Sequence, residues 1–152
     1  MRASGDVVRI PIIKLHGNLI ISIQVALSDP MVQRLKDDVT EQIELTRPSG
    51  MAIDISGIDL MDSYISRAIR DVCIMAGLMG VRTVISGMDP MIAITLVEMD
   101  MGLEGVRTAR DLEGGLALLD AEAALAEAES GDLAVFDDPE AVSLELDETW
   151  LT

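Results

Sequence analysis

Hydrophobic positions along the chain change their period several times, and each change marks an element. Residues Val7 to Leu15 and Asn18 to Ile23 are apolar and rich in β-branched side chains, and His16-Gly17 between them reads as the turn of a hairpin. Ser28-Asp29-Pro30 then offers a helix cap with proline in the first turn. Val32, Leu35, Val39 and Ile43 follow at helical spacing, and the helix should stop before Arg47-Pro48-Ser49-Gly50. Met51 to Ile55 is a short, nearly unbroken apolar run, the pattern of an inner strand covered on both faces, with Asp54 its one polar member.

From Ser63 the period becomes that of an amphipathic helix. Ile65, Ile69, Val72, Cys73, Ala76 and Met79 fall on one stripe, with Arg67, Arg70 and Asp71 off it. Val81 to Ser86 reads as a strand, Asp89-Pro90 as a second cap with proline, Ile92 to Met99 as a helix, and Gly105 to Ala109 as a last short strand. Asp111 can cap a final helix through Leu119, which the Ala/Glu/Leu composition allows to continue to Ser130 despite Gly114-Gly115. The predicted order is β-β-α-β-α-β-α-β-α. With right-handed crossovers it gives an α/β fold: a mixed, mainly parallel β-sheet flanked by helices.

Charge divides this picture. Residues 1–110 hold 11 basic and 14 acidic residues, whereas 111–152 hold 13 acidic and no basic ones, so nearly all of the net charge of −16 belongs to the tail. The expected organisation is therefore one domain over residues 7–120 and an acidic helical extension with a flexible tail over 121–152. In that tail Phe136 and Trp150 are isolated aromatics. A chain so acidic, without clustered Lys and Arg, is not built to displace counterions from a phosphate backbone, and nucleic acid is excluded as a main partner. No apolar run approaches the roughly 20 residues that span a bilayer, and residues 1–6 lack a secretory pattern, so no membrane role and a cytoplasmic location are expected.

The candidate chemistry is sparse. Cys73 is the only cysteine and lies on a helix stripe, as a small core residue would. His16 is the only histidine and sits in a turn, so no metal triad can be built on histidine. Neither a dinucleotide fingerprint nor a P-loop is present, so no cofactor and no catalysis are expected. A receiver domain would explain Asp54 at the end of an apolar strand. It would also need acidic ligands after the first strand and a lysine after the last, and the only lysines are Lys14 and Lys36. What remains is Asp59-Leu-Met-Asp-Ser-Tyr-Ile65 at a strand-to-helix junction, where either Asp62 or Ser63 can serve as the helix cap.

That junction carries a resemblance. Ile53-Asp-Ile-Ser-Gly-Ile-Asp-Leu-Met-Asp-Ser-Tyr-Ile-Ser-Arg-Ala-Ile69, with Pro11-Ile-Ile-Lys-Leu15, Ser22-Ile-Gln24, Met79-Gly80 and Gly87-Met-Asp-Pro90, resembles the STAS family, specifically its RsbS-type stressosome subunits, over about residues 8 to 120. The resemblance implies a single STAS-like domain without enzyme activity that joins homo- and hetero-oligomers with RsbR-type sensor paralogues. It further implies that the domain sequesters an RsbT-type switch serine/threonine kinase and releases it when phosphorylated. Matching the Asp-Ser pair places the phosphoacceptor at Ser63, and Thr95 lies where a second phosphosite of the paralogues is sought. Asp59, Met61, Asp62 and Tyr64 surround that serine and are read as the partner interface near the switch, with packing of the Tyr64 ring against the sheet edge as the alternative for that residue. A stand-alone anti-sigma-factor antagonist is the alternative within the family. The acidic tail departs from the resemblance, since the short members end soon after the last helix.

Overall fold

The computed structural model describes residues 8–136, with side chains described through Gly131. Nine elements follow in the predicted order: β1 (Ile12–Leu15), β2 (Asn18–Ser22), α1 (Asp29–Thr46), β3 (Gly50–Asp54), α2 (Ser63–Leu78), β4 (Arg82–Ser86), α3 (Pro90–Glu98), β5 (Arg107–Ala109) and α4 (Leu112–Phe136). Strand β1 is shorter than the apolar run suggested. Its ladder begins where Ile12 pairs with Ile21, and Pro11 just before it has no N–H to donate. The hairpin turn needs left-handed backbone at both central residues, and His16 (φ 50°) and Gly17 (φ 83°) supply it.

The sheet order is β1-β2-β3-β4-β5, with β1 antiparallel to β2 and every other pair parallel. Each crossover from β2 onward steps one strand in the same direction, and right-handed crossovers of that kind put α1, α2 and α3 on one face. The main core lies on this face: Leu19, Ile21, Met51, Ile53 and Ile85 from the strands meet Val39, Ile69, Val72 and Ile92 from the helices. On the other face a smaller cluster joins Ala52 and Val84 to Leu119 of α4, with Ala109, Leu112 and Leu116 packed against it. Two-sided burial explains why β3 reads as a continuous apolar run rather than an alternating one. Asn18 ties this second layer down by donating to the Asp120 carboxylate at 3.0 Å.

The chain divides into two compact units at Asp120 and Ala121, within α4. The helix of the second unit continues beyond Gly131 to Phe136, further than the predicted Ser130, since one glycine costs a helix only about 1 kcal/mol. Expectations for the tail beyond, including Trp150 and the side chain of Phe136, lie outside the described residues, as does the predicted strand start at Val7.

Candidate functional site

In an open parallel sheet, the loops leaving the carboxyl ends of the strands form the natural site of interaction. Here Ser22, Asp54 and Ser86 stand side by side at those ends. Asp54, the polar oddity of β3, holds the exit turn: its carboxylate accepts from the Ser56 amide and the Ser56 hydroxyl, both at 3.1 Å. Gly87 (φ 77°) passes so close that a Cβ there would lie 2.7 Å from Asp54 Oδ1.

The loop that follows is pinned from inside. Ile55, Ile58 and Met61 are buried, and the Ile58 amide donates to the Ile55 carbonyl at 3.0 Å. Met61, expected among partner-facing residues, is 2% exposed and faces the core; its neighbour Leu60, 76% exposed, takes the outward place. Asp59 is exposed.

Asp62 is the cap of α2. Its backbone is extended (φ −92°, ψ 179°), its carboxylate accepts from the Ile65 amide at 2.8 Å, and its carbonyl accepts from the Ser66 amide at 3.0 Å. Ser63 is thus the first helical residue rather than the cap, and it is exposed. Its hydroxyl has no hydrogen-bond partner among the described residues, and it stands at the positive end of a 16-residue helix. Tyr64 is 40% exposed. Asp29, the first residue of α1, acts on the Tyr64 phenol and raises the phenol pKa above its ordinary value, chiefly through a hydrogen-bonding interaction; desolvation and the charges of Asp29 and Asp62 act in the same direction. Sequence reasoning missed the Asp29 and Leu60 contributions, because neither a contact between two helix starts nor the facing of one loop residue has a local signal.

Thr95 stands apart from this junction, in the middle of α3, a helix capped by Asp89 through the Met91 amide at 2.8 Å. Its hydroxyl donates to the Met91 carbonyl at 2.8 Å. Ile92 and Leu96 anchor α3 in the core, leaving Met91, Ile94 and Val97 exposed. Cys73 is buried, and burial pushes its thiol up to about 12. Among the described residues no group of three His, Cys, Asp or Glu side chains could hold a metal ion. No helix among them is long and apolar enough to cross a membrane.

Comparison with known proteins supplies a frame for this geometry. A STAS domain model matches residues 9–112. RsbT co-antagonist protein RsbRD of Bacillus subtilis (strain 168) is 33% identical over 81 residues, covering 53% of this chain and 29% of that protein, so the chain spans less than a third of that relative. A solved serine-to-glutamate variant of Moorella thermoacetica RsbS is 32% identical with a TM-score of 0.67, covering 75% of this chain and 97% of that one. A chain of the solved stressosome, described as a signal integration and transduction hub, is 34% identical with a TM-score of 0.67, covering 74% of this chain and 98% of that one.

Proposed function

Since the chain belongs to the STAS-domain family and is similar to subunits of the stressosome, we propose that it is a non-catalytic, phosphorylation-switched scaffold subunit of such a complex. In this reading it assembles with RsbR-type paralogues, sequesters an RsbT-type switch serine kinase, and releases that kinase when Ser63 is phosphorylated, regulating a general stress response. The observation that carries the reading is the division of labour at the start of α2: Asp62 caps the helix, and the exposed Ser63 hydroxyl has no hydrogen bond among the described residues.

Electrostatics supports both halves of a switch. A phosphate on Ser63 faces the first amides of α2 and the positive end of its dipole, which favours an anion by roughly 0.3–1 kcal/mol at an exposed site, so the fold tolerates the modification. A bound kinase meets a different situation. The two charges must be desolvated or brought against the exposed Asp59 and Asp62, and like-charge juxtaposition costs several kcal/mol. Because about 1.4 kcal/mol is tenfold in affinity, this suffices for release. Leu60 and Tyr64 beside the acceptor offer the apolar and aromatic contact that a partner would use. Thr95 is a candidate second acceptor, one that would first give up its bond to the Met91 carbonyl.

The test is kinase binding by Ser63→Asp and Ser63→Ala variants of the full chain, with mass spectrometry of the parent after incubation with the kinase. Phosphate on Ser63 and at least tenfold weaker binding by Ser63→Asp are expected. Equal affinity of the two variants would refute the switch. Light scattering with the sensor paralogues is expected to give a megadalton-scale particle, which a stand-alone antagonist would not form.

A further inference from the structure

Ser63, Arg67 and Arg70 occupy positions i, i+4 and i+7 of α2 and so share one stripe of the helix. All three are exposed. Among the described residues neither guanidinium is engaged in an ion pair. Asp71, adjacent to Arg70 in sequence, instead meets Lys36 of α1 at 3.5 Å. Arg67 and Arg70 line, with Ser66, Met101 and Gly102, a cleft of about 320 Å³ that also contains Asp100 and Glu104, with no ion pair across it among the described residues. In a chain with 27 acidic residues against 11 basic ones, two arginines that form no ion pair among the described residues stand on the acceptor's own stripe.

Resting on the reading of Ser63 as the acceptor, we infer that Arg67 is the positioning residue for the phosphoryl group on Ser63, with Arg70 adding positive potential behind it. Helical side chains lean toward the N-terminus, which carries the Arg67 side chain over the turn that Ser63 opens. An acid placed four residues before a base is the favourable order for such a pair, and the guanidinium fork matches phosphate oxygens in two-pronged hydrogen bonds. The neutral hydroxyl gives Arg67 nothing to pair with. The phosphate does, and the pair then fixes the new charge on the helix face instead of leaving it to sweep over the loop. A partner would thus meet a held phosphate in one place, beside the exposed Asp59, Asp62 and Tyr64.

The experiment uses the full chain with phosphoserine encoded during translation at position 63, and follows the phosphate by phosphorus NMR across pH. An unpaired phosphoserine loses its second proton near pH 6. The parent is expected to titrate lower, Arg67→Gln to move the midpoint up by about 0.5 unit, Arg67→Lys to restore most of the shift, and Arg70→Gln to move it by less. All the acidic neighbours are common to parent and variants, so the difference isolates the arginine; circular dichroism checks that the variants fold. Coincident curves for parent and Arg67→Gln would overturn the pairing. Because no kinase installs the phosphate, the outcomes separate: a shifted midpoint with Ser63 left unmodified by the kinase removes the acceptor reading alone, and an unshifted midpoint with Ser63 modified removes the pairing alone.

Discussion

The Asp62 carboxylate accepts the Ile65 amide at 2.8 Å, so the residue before Ser63 carries the capping bond that the serine would otherwise have supplied. Removing that bond by Asp62→Ala is expected to cost about 1 kcal/mol and to lower the thermal midpoint by about 4 °C. Ser63→Ala is expected to stay within about 0.5 kcal/mol of the parent. Urea unfolding of both variants checks this, and comparable losses would mean that the hydroxyl shares in the cap.

The close approach of β4's exit to β3's exit gives a second expectation. At Gly87 an added Cβ meets Asp54 Oδ1 at 2.7 Å and Ser56 Cβ at 2.8 Å, on a backbone with φ 77°. At Gly80 the backbone is similarly left-handed (φ 83°) but nothing lies within 4 Å. Gly80→Ala is expected to cost about 1 kcal/mol from backbone strain alone. Gly87→Ala adds a collision with the carboxylate that holds the exit turn, and about 2–3 kcal/mol is expected. The order of the two denaturation midpoints is the decisive reading.

Tyr64 is the only tyrosine of the chain, so its ionisation can be followed by ultraviolet absorbance without overlap from another phenol. The Asp29 contact raises its pKa first of all. Asp29→Asn is expected to move the phenol midpoint down toward the ordinary value near 10. An unmoved midpoint would mean that the two helix starts are not coupled through this pair.

These contacts show where the sequence was legible and where it was not. Helix starts at Asp62-Ser63 and Asp89-Pro90 were readable because capping is local chemistry, and both caps form as side-chain bonds. Strand β3 was readable from an apolar run broken only by Asp54. The facing of Met61 and Leu60 was not readable: two adjacent apolar residues in an aperiodic loop look alike until Ile55 and Ile58 fix which one turns inward. The start of β1 was overextended because β-branched residues before Pro11 mimic a strand although the ladder begins at Ile12. The spacing of Ser63, Arg67 and Arg70 is present in the sequence, but only the structure shows that neither arginine forms an ion pair among the described residues.

Cys73 supplies a pH dependence whose sign can be worked out. Burial raises its thiol from 9.0 to about 12 in the folded chain, so between those values the unfolded chain has lost a proton that the folded chain retains. Stability contributed by the neutral buried thiol is therefore complete below about pH 9 and declines as pH rises toward 12. At pH 10 the loss is roughly 1 kcal/mol relative to pH 8. Tyr64, also raised, adds to the decline only above its ordinary value near 10. Urea midpoints of parent and Cys73→Ala at pH 8 and pH 10 isolate the thiol: the variant starts lower because of the cavity it leaves, but its midpoint is expected to fall less between the two pH values. The same protonated thiol should resist alkylation by iodoacetamide at pH 8 in the folded chain and react once the chain is unfolded. Parallel midpoints in the two chains, or rapid alkylation of the native protein, would place Cys73 in contact with solvent instead of in the core between α2 and the sheet.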